Sequence, residues 1–109
     1  MSPEALPALL EQIDELLAEP AEKPASLARL ERTLTDGYAY ALELESERWR
    51  LEQRISELTG ELDEGDQERK ARELALLSDR LAKNASTLSG LRGTLTRLRA
   101  HTSATRSGL

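Results

Sequence analysis

Cysteine, phenylalanine and valine are absent from this chain of 109 residues. Without cysteine, the protein has no disulfide, no thiolate nucleophile and no thiolate metal ligand, which fits a reducing compartment. β-Sheets favour β-branched and aromatic residues, and the apolar members of both groups are scarce, with two isoleucines, two tyrosines and one tryptophan. The composition therefore argues against a sheet and against cysteine chemistry.

Long apolar stretches are also missing from the sequence. A membrane-spanning helix needs about 18–20 consecutive apolar residues, and no segment approaches that length. The first residues, Met1 to Glu4, lack the basic segment and the apolar run of a signal peptide. We therefore expect no membrane span and a cytoplasmic location.

Histidine occurs once, as His101, near the end of the chain. A zinc site therefore has no basis, and the Glu-x-x-His pattern of di-iron bundles fails because position 98 is leucine. Gly90 and Gly93 match neither of the common glycine-rich phosphate-binding loops. We predict that the protein binds no metal or cofactor and is not an enzyme.

Leucine and alanine supply nearly all of the apolar residues, alongside many Glu and Arg residues. These are strong helix formers, and such a composition is typical of long helices and coiled coils. The sequence predicts a first, amphipathic helix over about 3–18, with Ser2 as its N-cap. Prolines 20 and 24 then define a linker over 19–24.

Heptad repeats fill most of the remaining chain. Leucine or isoleucine occupies most a and d positions from Leu27 to Leu62, and the pattern resumes from Leu74 to Leu98. We predict helices over about 25–62 and 67–100, joined by a turn at 63–66 in which Gly65 ends one helix and Asp66 caps the next.

Helices joined by so short a loop should pair antiparallel. The expected fold is therefore a single all-α domain over 1–102, in which a long antiparallel coiled-coil hairpin and the N-terminal helix form a three-helix arrangement. The first helix should fold back along the start of the second. Residues 103–109, rich in Ser and Thr, are predicted to form a flexible tail.

Two polar residues interrupt the predicted helix contact. A turn near position 64 pairs Ile55 with Leu74 and Leu44 with Asn84, which brings Arg48 and Asn84 close together at core positions. A polar core residue can fix the register of a coiled coil at some cost in stability. Equally, Arg48 can extend its aliphatic stem and place its charge in solvent.

A second set of residues lies outside the predicted helix contact and forms the predicted interface. On the second helix, apolar side chains recur at helical spacing, and on the third helix small residues fill successive e and b positions. The set is Tyr38, Leu42, Trp49, Ala71, Ala75, Ser78, Ala82 and Ala85. Small residues allow a neighbouring helix to approach closely. Because the first helix should not reach Trp49 or the small residues, we expect a homodimer that forms a larger bundle, or else a different protein partner.

Three glycines could also form a docking notch, since the predicted register places Gly37 opposite Gly90 and Gly93. The alternative is that Gly90 and Gly93 only loosen the third helix.

Charge is distributed unevenly along the chain. Residues 80–109 contain six basic residues and no acidic one, although the net charge of the chain is −5. The candidate contacts for an acidic partner or a polyanion are Arg92, Arg97, Arg99 and Arg106. They could instead be neutralised by the acidic first helix. We therefore predict a non-catalytic structural or adaptor protein that acts through helix–helix contacts, with a nucleic-acid-associated accessory factor as the alternative.

Overall fold

The structure, a computed structural model, describes residues 5–19, 27–61 and 64–108. These residues form three α-helices and no strand: α1 spans Ala5–Ala18, α2 spans Leu27–Gly60 and α3 spans Gln67–Ser107. The two long helices pack against each other, which confirms the predicted all-α helical hairpin. Most of the predicted linker (20–24) and part of the predicted turn (63) lie outside the described residues.

The start of α3 follows the predicted turn chemistry. Gly65 has a φ of 70°, a left-handed conformation that glycine adopts without a steric penalty. The next residue, Asp66, accepts a hydrogen bond at 3.0 Å from the main-chain N–H of Arg69 through Oδ1. Asp66 is therefore the N-cap of α3, as the sequence predicts.

Two compact units divide the chain, and the first consists of residues up to 43 together with residues from 89 onwards. It combines α1 with parts of α2 and α3. Glu15 and Glu19, at the end of α1, pair with Arg29 at 3.8 and 3.6 Å. The start of α1 lines a cleft with Asp36 and Tyr40. These contacts show α1 antiparallel to α2, as predicted.

Helix α3 continues to Ser107, so the predicted end near Ala100 and the flexible tail from 103 are corrected. The Ser/Thr-rich sequence can remain helical because the hydroxyl groups of its threonines donate hydrogen bonds to carbonyls within the helix. Thr102 and Thr105 are 2% and 1% exposed, and their hydroxyls donate to the carbonyls of Leu98 and His101 at 2.8 and 3.0 Å. The methyl groups can then pack against apolar neighbours without leaving a buried hydroxyl unpaired.

The second unit comprises residues 44–88. Its core contains Leu51, Leu58 and Leu77, which are packed against partly buried residues on both helices: Ile55, Leu74 and Leu81. These are a and d positions of the predicted heptads, so the apolar contact lies where the sequence places it.

Candidate interaction surfaces

The polar core position on α3 is occupied by Asn84, which is only 5% exposed. Its Nδ2 donates to the main-chain carbonyl of Leu44 at 3.0 Å, joining the two helices at the predicted level. Oδ1 is buried without a hydrogen-bond partner among the described residues. An unpaired buried oxygen has an energetic cost. We therefore expect Asn84 to orient the two helices rather than to stabilise the hairpin.

Arg48 does not share that buried position with Asn84. Its Nε contacts Glu52 at 2.8 Å, one helical turn later, and its side chain is 48% exposed. The interpretation in which Arg48 places its charge in solvent is therefore correct, and the predicted Arg48–Asn84 pair is not formed.

One edge of the second unit carries a network of charges. Arg54 on α2 contacts Glu73 on α3 through Nε at 3.2 Å and Glu57 through Nη1 at 3.2 Å. The hydrogen bond to Glu73 is the largest cause that raises the pKa of Arg54, and the hydrogen bond to Glu57 is the next largest. The guanidinium thus bridges the two helices on this edge.

Trp49 and the small residues lie on the opposite edge. Successive helical residues are rotated by about 100°, which places Trp49 and Arg54 on opposite sides of the buried face of α2. The same geometry places Glu73 and the small residues on opposite sides of the buried face of α3. Since Arg54 and Glu73 are in contact, Trp49 and the small residues share the other edge.

That edge is exposed to solvent. Trp49 is 63% exposed. All five predicted small residues are exposed as well, and we call them the small-residue stripe: Ala71, Ala75, Ser78, Ala82 and Ala85. The stripe carries no charge. The stripe itself is uncharged and allows a helix to approach closely, while Trp49 lies between Glu45 and Glu52 on α2, and Glu52 is paired with Arg48.

Leu76 is a large side chain outside the predicted interface, and it is 62% exposed. It follows Ala75 directly but points about 100° further around α3, away from the small-residue stripe. Its heptad position, c, is normally polar, and that mismatch is the signal that could have identified it.

The other two predicted interface residues, Tyr38 and Leu42, belong to the first unit. They are 47% and 64% exposed, so α1 leaves them uncovered. Tyr38 lines a groove of about 440 Å³ together with Leu34, Arg99, Thr102, Ser103 and Arg106.

The predicted glycine notch is not present. A Cβ atom added to Gly37 would collide with the side chain of Leu95, whereas Cβ atoms added to Gly90 and Gly93 would meet nothing within 4 Å. Gly37 is therefore needed because Leu95 packs directly against its backbone. Gly90 and Gly93 face open space instead.

The C-terminal arginines do not all behave alike. Arg106 contacts the carboxylate of Glu31 on α2, and Arg97 contacts the hydroxyl of Thr94 at 3.4 Å. The ion pairs formed by α1 go to Arg29. Among the described residues, no acidic side chain of α1 forms an ion pair with Arg97, Arg99 or Arg106, and Arg99 has no ionic or hydrogen-bond partner.

The parts of the chain that the structure describes contain no group of three or more His, Cys, Asp or Glu side chains arranged to hold a metal ion. None of their helices has the length and apolarity required to cross a membrane.

Comparison of the chain with protein-family models, with curated proteins and with solved structures finds no significant match. Function is therefore inferred from the residues of this chain alone.

Proposed function

We propose that the protein is a non-catalytic structural or adaptor protein that forms a homodimer through the edge defined by Trp49 and the small-residue stripe. The observation that carries the proposal is the exposure of that ring beside an uncharged stripe, on the edge opposite the Arg54–Glu73 ion pair. Contact of such a surface with a second helix is more favourable than its exposure to solvent.

Shape supports a helical partner. Alanine and serine extend little beyond the backbone, so a second helix can approach α3 closely and gain van der Waals contact along its length. Covering a large apolar side chain such as Trp49 contributes about 1.5–3 kcal/mol. In a two-fold dimer this gain occurs twice, because each Trp49 can rest on the stripe of the other chain.

Charge supports the same edge. Arg54 and Glu73 lie on the far side of the helix pair and stay hydrated when the stripe is covered. The charges beside Trp49, those of Arg48 and Glu52, are already joined in an ion pair, which lowers the cost of covering them. The outward-facing ion pair between Lys83 and Asp79, at 3.0 Å, is also exposed. A second copy can therefore pack on the stripe without burying the charges on the far side or those that face outward.

The test is the solution mass of matched variants, measured by light scattering after size-exclusion chromatography. Ala82→Arg places a long charged side chain in the middle of the stripe and is expected to convert the dimer to a monomer. Leu76→Arg introduces the same side chain on the same helix but away from the stripe, and its mass is expected to equal that of the unaltered dimer.

Circular dichroism of both variants should show unchanged helicity, since both positions are exposed. A dimer that persists in Ala82→Arg would contradict the proposal. Dissociation by Leu76→Arg alone would place the interface on the other side of α3. A monomeric unaltered protein would remove self-association and leave the edge to a different protein.

A further inference from the structure

A groove in the first unit combines apolar side chains with basic and hydroxyl-bearing side chains. It measures about 440 Å³ and is lined by Leu34 and Tyr38 from α2 and by a polar wall from α3: Arg99, Thr102, Ser103 and Arg106. It belongs to a different unit from the proposed dimer edge, so ligand binding in the groove does not depend on self-association.

The groove offers hydrogen-bond donors that have no partner among the residues that the structure describes. Arg99, the hydroxyl of Ser103 and the phenol of Tyr38 make no hydrogen bond or ion pair to any described residue. Arg99 and Ser103 are four residues apart on α3 and therefore face the same way. A guanidinium presents only donors, so the polar wall is suited to an acceptor with negative charge.

Net charge limits how much negative charge the groove can accept. Arg106, the second arginine, already contacts the carboxylate of Glu31. Arg99 is therefore the one unneutralised arginine in the lining, and Glu31 adds a negative charge close to Arg106. A single carboxylate matches this balance, and a row of phosphates does not, since nucleic-acid affinity grows with the number of phosphates neutralised.

Apolar surface lies beside the charge. Leu34 is half-buried and the ring of Tyr38 is 47% exposed, so both can contact an aliphatic side chain. A ligand that fits has a carboxylate next to an apolar group, which is the pattern of an acidic peptide segment with leucine beside glutamate.

We propose that this groove binds an acidic peptide segment of a partner protein, with one carboxylate held by Arg99 and Ser103 and an adjoining apolar side chain on Leu34 and Tyr38. Arg106 stays paired with Glu31 and adds no net charge to the groove. This assigns Arg99 a role that is separate from that of the other C-terminal arginines.

The probe is a fluorescein-labelled peptide with the order Gly-Leu-Glu-Leu-Glu-Gly, titrated with the full chain and followed by fluorescence anisotropy. A peptide with glutamine in place of glutamate shows whether the carboxylates matter, and a labelled single-stranded DNA provides the competing class. We expect saturable binding of the acidic peptide and little binding of its glutamine counterpart.

Arg99→Gln and Arg97→Gln form the matched pair, because each removes one positive charge from α3 and only Arg99 lines the groove. Arg99→Gln is expected to weaken peptide binding about tenfold, the size expected for loss of a charge-assisted hydrogen bond. Arg97→Gln should leave it within about twofold, the change expected from a screened distant charge.

Equal losses in the two variants would overturn the proposal, because they would indicate general attraction to positive charge. Tighter binding of the DNA than of the acidic peptide would overturn it in favour of a polyanion. A change in solution mass caused by Arg99→Gln would show that a second copy of the chain occupies the groove, and would overturn it too.

Discussion

Asn84 and Leu44 are joined across the two long helices by a hydrogen bond of 3.0 Å from a side-chain amide to a main-chain carbonyl. The carbonyl of Leu44 lies inside the continuous helix α2, where it already accepts a helical hydrogen bond. The amide oxygen of Asn84 is left unpaired. The bond therefore adds one donor to an occupied acceptor, and orients the helices more than it stabilises them.

Replacing Asn84 by leucine should raise the free energy of unfolding by about 1 kcal/mol, since it removes the buried unpaired oxygen and leaves no orphaned partner. Asn84→Asp, of nearly the same shape, should lower it by more than about 2 kcal/mol, because a carboxylate would be buried there. Urea denaturation measures both. A large loss of stability in Asn84→Leu would show that the hydrogen bond itself stabilises the hairpin.

Lys70 is buried, with 8% exposure, although lysine is rarely found inside proteins. Its ammonium donates to the main-chain carbonyl of Glu61 at 2.7 Å and also to that of Glu64. Lys70→Met keeps the aliphatic stem and removes both bonds, and should lower the free energy of unfolding by about 1–3 kcal/mol. Thermal denaturation checks it.

Arg69→Met is the control for that prediction, because Arg69 is exposed and only its main-chain N–H is held by Asp66. Its effect should stay within about 0.5 kcal/mol. Equal effects at the two positions would mean that the ammonium contacts of Lys70 contribute nothing to stability.

Gly37 and Gly90 should respond in opposite directions to alanine. At Gly37 the added methyl group meets Leu95, so Gly37→Ala should destabilise the protein by about 1–3 kcal/mol through overpacking. At Gly90 the methyl group meets nothing, and Gly90→Ala should stabilise α3 by about 0.5–1 kcal/mol. The melting temperatures of the two variants, compared with that of the unaltered chain, measure both changes in stability. A stabilised Gly37→Ala would show that Leu95 does not pack there.

The last turns of α3 should contribute to stability. A chain that ends after Ala100 loses buried Thr102 and Thr105 as well as the contact of Arg106 with Glu31. We expect its melting temperature to fall by at least about 4–8 °C, which corresponds to roughly 1 kcal/mol for a domain of this size. A chain that ends after Ser107 keeps the helix and should melt like the full chain. Equal melting of the two truncated chains would contradict the helical assignment.

The apolar repeat was sufficient to predict the helix pair. Leu51, Leu58 and Leu77 are buried where their heptad positions place them, because a sustained heptad repeat forms an apolar stripe that a second helix covers along its whole length. The depth of Asn84 followed from the same repeat. Gly65 and Asp66 also behave as predicted, since few residues can adopt those conformations or make those caps.

Features that depend on a long side chain or on a specific neighbour were not predictable. Arg48 selects Glu52 rather than Asn84 because its flexible stem reaches solvent easily. Thr102 and Thr105 resemble tail residues in sequence, and only the structure shows their burial and their bonds within the helix. The collision between Gly37 and Leu95 likewise depends on a packing distance.

Self-association through this edge is tested most directly by the fluorescence of Trp49, the single tryptophan of the chain. Its emission is measured while the protein is diluted from high to low concentration. If a second copy covers this ring, the emission maximum should shift to the red and quenching by acrylamide should increase as the dimer dissociates, and Ala82→Arg should show the dissociated values at every concentration. Emission and quenching that stay constant over the whole range, with Ala82→Arg indistinguishable from the unaltered chain, would contradict self-association through this edge.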